Sequence, residues 1–517
     1  MSLTGQTATA PRRQRAQGCQ MLRIDRRSFL RLAGTASLST AGASSYSAVV
    51  AASDSGGTVV TPEAKTQAGP AATGVTARLS QYVVDAKYDD LPAAVRKEAV
   101  RTLLNYVGGA VGGSHEQTVE IAVAALGPFS GPPQAAVFGR RERFDLMNAA
   151  FVNGVSSHVH DYDDTHLKTI IHPGSPVISA AMASAEYRLI DGKDFLNAFV
   201  VGSEVALRLG NSVYPNHYDR GWHITGTCGV FGAAAAAGKI LGLSRQQLTW
   251  AFGLAASTPV GLRESFGSMN KSFNPGKAAS DGIFAALLAS RNFTSSDAMI
   301  EAKRGWANTI STKQDYNEIT GDLGVRFETA LNTYKPFACG IVLHPSIDAA
   351  IQLRSANALT ADQISRIELR VHPLVLELTG KKAPVTGLEG KFSVYHAVAV
   401  ALIEGMAGPK QFTDRAVQDP AVVALRARVF PTVDGAIREE QVDMVVVLND
   451  GRRLSKFIQH AVGSVEVPMT DSALEIKFAD LADGILPLAQ TRRLIDACWN
   501  VERLADAADI VRLSVQT

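Results

Sequence analysis

Apolar and polar positions divide the chain into a long helical stretch, a stretch of mixed character and a short helical end. Leu91-Pro92 opens a helix, with proline in the first turn, where its missing N–H is no loss. Val95, Ala99, Leu103 and Val107 then recur four apart and mark one helix face. A second helix is predicted from Asp145 through Ala149, Ala150 and Val155 toward Asp161. Residues 226–243 (GTCGVFGAAAAAGKILGL) are small and apolar almost throughout, which predicts a helix buried on every side. Ser244 caps the next helix, which carries Leu248, Phe252 and Leu254. Residues 276–293 repeat the small-residue theme and suit a dense bundle.

The pattern changes after Tyr334. Ile364 to Leu378, with Val371, Val375 and Leu376, reads as a strand, and Lys391 to Glu404 as a helix. Asn449-Asp450-Gly451 between Val442–Leu448 and Arg452–Gln459 is a hairpin signal. Ser472-Ala473-Leu474-Glu475 fits a capping box. Beyond it, helices with Leu494, Ile495, Cys498 and Leu504 are expected to pack back onto the first ones. The predicted fold is mainly α. Residues 76–333 form a helical domain, 334–468 a smaller α+β domain, and 469–517 the helices that complete the first. There is no internal repeat.

Residues 1–75 stand apart, rich in Ala, Ser, Thr and Gly with almost no acidic charge. Asp25-Arg26-Arg27-Ser28-Phe29-Leu30-Arg31, followed by a weakly apolar run, resembles a twin-arginine (Tat) export signal. Asp25 and Arg31 depart from the usual residues there. The expectation is a signal region over 1–52, a flexible linker over 53–75 and a periplasmic mature protein. The run 33–52 is too polar for a stable membrane anchor.

Composition narrows the class. Of 517 residues, 46% are apolar, ample for a large core, and 19% are charged, below the usual quarter. A net charge of +2 leaves no footprint for nucleic acid. Cys19, Cys228, Cys339 and Cys498 form no CxxC pair, so neither a structural zinc site nor a four-thiolate cluster is expected.

Five stretches carry chemistry. In residues 157–166 (SHVHDYDDTH) and 172–176 (HPGSP), imidazoles and carboxylates crowd together. They suit proton transfer, a metal site on Asp161, Asp163 and nearby histidines, or an acidic helix end. On a helix, Asp161 and Thr165 would share a face. In 221–229 (GWHITGTCG), His223 enters a helix start whose N–H groups favour a carboxylate. Residues 261–277 alternate glycines with basic side chains, including Lys271, as an anion-binding or solvated basic loop would; no P-loop or dinucleotide fingerprint is present. Residues 334–346 place Lys335 on a Pro-rich turn, with Cys339 reading as a buried thiol and His344 following. Residues 386–396 (TGLEGKFSVYH) place Tyr395 in a helix.

Together these stretches resemble the MmgE/PrpD family over about residues 76–510. The most diagnostic runs are HDYDDTH with HPGSPV, GLRESFGSMNKSF, YKPFACGIVLH and TGLEGKFSVYHAV. The resemblance implies a large helical domain built from both ends of the chain with an inserted α+β lid. It also implies a homodimer with no metal or organic cofactor, and a site between the two domains for a small carboxylate. It carries the catalytic roles to Asp161, His172, His223 and Tyr395, and substrate binding to Thr165, Lys271 and Lys335; His344 is read beside them. Gly340 and Asn274 stand where the decarboxylases and many members, respectively, have histidine. The implied activity is dehydration of a di- or tricarboxylic acid by proton removal next to a carboxylate. Epimerisation, decarboxylation, an inactive periplasmic binding protein and a metal-dependent hydrolase are the alternatives.

Overall fold

The computed structural model describes residues 74–515. The leader read over 1–52, and the linker up to residue 73, lie outside the described residues.

The predicted all-buried segment is the helix Ile224–Leu241, and it is central. It is long and apolar enough to cross a membrane, yet 89% of it is buried inside the protein, as a core helix would be. The helices Gly174–Arg188, Gly192–Val213 and Asn270–Ser290 pack around it. Small residues set the spacing of this bundle. A Cβ at Gly154 would lie 2.7 Å from Gly276 Cα, so the helices Leu146–His158 and Asn270–Ser290 cross with their backbones nearly touching. That crossing brings the end of one helix beside the start of the other, where the site forms.

Caps define the ends. Asp145 accepts from the backbone N–H groups of Met147 and Asn148, and Ser244 makes a full capping box with Gln247. At the chain's end the cap is Thr470, not Ser472: Thr470 accepts from Ala473 N, and the helix runs Asp471–Ala482. Glu475, one half of the expected box, instead accepts from the Trp499 indole at 2.7 Å. Phe478 of this helix covers Gly108 of the helix Ala93–Gly113, and Leu494 and Cys498 join the same apolar cluster. The C-terminal helices thus pack on the N-terminal ones.

Residues 364–458 contain a four-stranded sheet, ordered Val429–Val433, Ile364–Val371, Val442–Leu448 and Arg453–Ile458. The first pair is parallel and the others antiparallel. The hairpin stands where the sequence placed it, with Gly451 at φ 86°. The strand read through Leu378 ends at Val371. His372-Pro373 turns the chain into the helix Pro373–Thr379, which holds Val375 and Leu376. The helices His344–Asn357 and Val394–Glu404 pack on the sheet, and their apolar residues form a cluster of their own within 337–461.

Candidate active site

The helix Leu146–His158 stops short of Asp161, which takes a left-handed turn at φ 52°. The chain then runs as a strand, Asp164–His166, pairing antiparallel with Asn332–Tyr334. Asp161 and Thr165 therefore do not share a helix face. The ribbon instead sets Lys335, one residue beyond its second strand, beside Asp161. Asp164 fastens the arrangement: its Oδ2 accepts from Gly174 N at 2.9 Å and from Asn332 Nδ2 at 2.8 Å. A Cβ at Gly174 would lie 2.5 Å from Asp164 Oδ1, so only glycine fits there.

A narrow cleft of 30 Å³ results, and Asp161, His172, His223, Lys271 and Lys335 all line it. Lys271 Nζ donates to Asp161 Oδ1 at 3.0 Å and Lys335 Nζ to the same oxygen at 2.5 Å. Asp161 Oδ2 is buried without a partner. Burial alone would raise the Asp161 carboxyl, but the two lysines, with His158 and His172, hold it well below the usual carboxylate range. The lysines themselves shift in opposite directions. Burial lowers Lys271 despite Asp161. Lys335 is raised, because Asp161 and Asp163 outweigh its burial.

Hydrogen bonds fix the imidazoles. His172 Nδ1 lies 2.7 Å from the Asp164 carbonyl, which can only accept. The proton therefore sits on Nδ1, and Nε2 keeps a lone pair toward the cleft. Thr165 Oγ1 also meets this Nδ1, at 3.1 Å. His223 is arranged in the opposite sense. Asn274 Nδ2, a donor, meets its Nδ1 at 2.9 Å and also bonds Ser265 Oγ, which leaves the proton of His223 on Nε2. Burial keeps both rings neutral. It lowers His172 to about 3 and, with Lys271 adding to it, pushes His223 well below its ordinary value.

Two residues of the first motif outside the catalytic and substrate-binding set implied by the resemblance, His158 and Asp163, complete the network. His158 Nδ1 bonds Asp163 Oδ2 at 2.6 Å, and its Nε2 accepts from Lys271 Nζ at 2.8 Å. Their spacing of five residues across a helix end is no recognised signal. Lys391 is buried behind them, its Nζ 3.0 Å from the Val159 carbonyl, and burial lowers it to about 8. Lys477, from the C-terminal helix, donates to Asn105 Oδ1 and to the carbonyls of Tyr162 and Lys335. Burial lowers it to about 7. Nothing in the sequence around Lys477 points to the cleft.

Three expected residues stand apart. Thr165 is buried behind His172 and bonds it. Tyr395 belongs to the apolar cluster of the sheet-bearing segment and is not among the cleft-lining residues. His344 lines a neighbouring cavity and stacks edge-on to Phe337.

Two triplets, His158–His172–His223 and Asp161–Asp163–His172, hold donor atoms within 4.8 Å of one another. The fit to a dication is poor. Lys271 already occupies His158 Nε2, and two ammonium groups share Asp161 Oδ1. The arrangement suits an anion: fixed cations, one unprotonated imidazole nitrogen and one imidazole N–H face the same space.

Comparison with known proteins agrees in kind. A family model described as the MmgE/PrpD N-terminal domain matches residues 77–319, and one for the MmgE/PrpD C-terminal domain matches 337–501. A cis-aconitate decarboxylase-like protein, oryM, of Aspergillus oryzae is 27% identical, over 85% of this chain and 97% of its own length. The human cis-aconitate decarboxylase is 27% identical over 85% and 94%. A 2-methylcitrate dehydratase of Cupriavidus necator is 24% identical over 63% and 72%.

Proposed function

Because the chain belongs to the MmgE/PrpD family, we propose that it is a lyase for a small di- or tricarboxylic acid, and that it removes water by first taking a proton next to a carboxylate. The observation that carries this reading is His172, neutral and protonated on Nδ1, with its Nε2 lone pair facing the cleft. A bare imidazole nitrogen is a base, and a reaction begun by C–H cleavage uses one directly. Decarboxylation begins instead with loss of carbon dioxide and then needs a proton donor at the new carbanion.

The remaining groups take roles that follow from their shifts. Lys335, raised and fixed on Asp161, stays charged and holds a substrate carboxylate. His223 Nε2–H donates to an oxygen of the carboxylate whose neighbouring carbon loses the proton, where negative charge develops. Lys271, made more acidic by burial, gives its proton to the leaving hydroxyl. The C–H electron pair becomes the C=C bond, the C–O bond breaks, and the hydroxyl leaves as water. His172 ends protonated and Lys271 neutral. His158, hydrogen-bonded to Asp163, receives the Lys271 N–H and keeps its Nζ in place.

Decarboxylation is the second reading, favoured by the names of the fungal and human relatives. Against it stands Gly340, which lines the cleft at the position where the decarboxylases resembled here carry histidine. Incubation with a panel of di- and tricarboxylic acids in deuterated water separates the outcomes. Alkene formation with solvent deuterium in recovered substrate is expected. Gas release without that exchange would replace dehydration by decarboxylation. Exchange with no net product would make the enzyme an epimerase, and binding without exchange would make it a binding protein.

A further inference from the structure

The cleft is too small for the molecule it is read to handle. Its 30 Å³ is about the share of one water in the liquid. A cavity of 320 Å³ lies next to it, and Ile170, Ile341 and Val342 line both. The two spaces are therefore separated by a wall of three aliphatic side chains. Ile170 sits at φ 59°, in the left-handed region that a β-branched residue rarely adopts. That conformation costs about 1–3 kcal/mol and is kept by the packing around it. Gly340 adjoins it and adds no side chain to the cleft.

The chemistry of the larger cavity differs from that of the cleft. Leu167, Ala461 and Val462 give it an apolar lining. Its acidic side chains are Glu439, Glu440 and Glu466. The basic ones are engaged: Lys168 lies 3.5 Å from Glu318, and His460 is 3.4 Å from Glu466. Burial lowers His344 to about 3 and keeps it uncharged. Glu440 is paired with Arg438 and Glu466 lies beside His460, while burial raises Glu439. This lining therefore offers little to the charged end of a polycarboxylate, and its aliphatic side chains suit a neutral chain.

We propose that this cavity is a tail subsite: the acid whose carboxylates are held in the cleft carries an unbranched apolar chain that passes the Ile170–Ile341–Val342 wall and lies between Leu167 and Val462. The inference rests on reading the cleft as a polycarboxylate site, and its test keeps the two separable. Citrate, 2-methylcitrate, 2-butylcitrate and 2-hexylcitrate would be titrated calorimetrically against the purified full chain, with deuterium exchange followed on each. Affinity is expected to rise along the series, by up to roughly fourfold per buried methylene. Val465 lines the larger cavity and not the cleft and is about half exposed, so Val465→Trp fills the subsite from its rim. That variant is expected to flatten the series while leaving citrate unchanged. Ala461→Leu, a smaller intrusion from another side, serves if the tryptophan unfolds the chain. A flat or falling series, or a rise that survives both substitutions, overturns the subsite; exchange with citrate then still upholds the cleft. A rising series without exchange upholds the subsite and sinks the proton chemistry. Failure of all four acids to bind overturns both.

Discussion

The two walls of the cleft are built from different material. The helical wall supplies Asp161, His172, Tyr218, His223, Lys271 and Lys335, every ionisable group that lines it. The opposite wall, from the sheet-bearing segment and its approaches, supplies Gly340, Ile341, Val342, Leu378, Thr379 and Phe392. Its single hydroxyl, on Thr379, is spent on the Val375 carbonyl at 2.5 Å. One wall therefore holds charge and protons, and the other holds shape. The separation has a physical reason. Buried charges must be paired and hydrogen-bonded to persist, and the crossing helices and the short ribbon of the helical wall provide fixed partners. Loops such as 340–342 do not, but they can change side chains without exposing an unpaired charge.

If that division holds, the largest effect comes from the helical wall. His172→Gln removes the cleft-lining imidazole whose tautomer leaves a lone pair toward the cleft. Deuterium exchange is expected to fall by about 10² to 10⁴, the usual worth of a general base, with substrate binding nearly kept. Exchange within a factor of a few of the parent would move the base elsewhere, with Asp161 Oδ2 the next candidate.

Buried imidazoles, His172 of the ionisable wall among them, should also set the acid limit of stability. His160, His172, His217 and His344 are each lowered to about 3, with burial the largest cause in every case. Their folded values lie below the unfolded value of about 6.5. Their contribution is thus complete above 6.5 and is lost as pH falls toward 3. Asp164 works in the other direction. Burial and Asp163 raise it to about 7, so it favours the folded state at low pH and loses that contribution as pH climbs to 7. Lowered imidazoles, with His158, His223 and His396 beside these four, outnumber the raised carboxyls Asp164, Glu98, Glu186 and Glu439. That balance predicts a melting temperature that falls steadily from about pH 6.5 to 3, with a shallower slope in His172→Gln. A melting temperature that holds level across that range would show these rings to be solvated.

What the sequence made legible follows the same divide. Helices read from period and caps stood where packing merely extended the local signal, as at Ile224–Leu241 and Ser244. The hairpin at Asn449-Asp450-Gly451 was equally local. The strand reading failed after Val371 because His372-Pro373 broke it, and the Ser472 box gave way to Thr470, two residues earlier. In the cleft, residue type marked the stretches, and the resemblance to the MmgE/PrpD family singled out Asp161, His172, His223, Lys271 and Lys335. They could not give the tautomers, since those depend on the Asp164 carbonyl and the Asn274 amide. Thr165 was read on a helix face because the turn at Asp161, with φ 52°, leaves no mark in a polar run. Lys477 reaches the back of the site from a helix more than three hundred residues along the chain from Asp161, and no local pattern encodes that.

Asn274 gives a sharper test of the helical wall, with a smaller effect. Its amide donates to His223 Nδ1 and so keeps the other ring nitrogen protonated. Asn274→Leu keeps the bulk but lets the proton move. Losing one buried hydrogen bond of this kind is worth about 1–2 kcal/mol, or roughly tenfold in rate. Asn274→Asp should be worse than Asn274→Leu, because a carboxylate accepts and draws the proton onto Nδ1. Nitrogen NMR of the His223 ring would show the tautomer directly. Equal rates in all three proteins would mean that His223 does not act through its N–H.

The smallest effect belongs to the other wall, and it is where the comparison is easiest to break. A Cβ at Gly340 would meet Thr379 Cγ2 at 3.4 Å and Phe392 Cε1 at 3.5 Å, ordinary contacts, so Gly340→Ala should fold normally. The backbone there has an ordinary negative φ, and no strain is introduced. The methyl group only takes space from the cleft, beside Ile341. A change of shape without a change of charge should raise KM a few-fold, most for the bulkiest acids, and leave kcat for the smallest one untouched. If kcat falls instead, while His172 still exchanges its proton with solvent, residue 340 bears on the bond-breaking step itself. The apolar wall would then share in the chemistry, and the position where the decarboxylases resembled here carry histidine would decide which bond breaks.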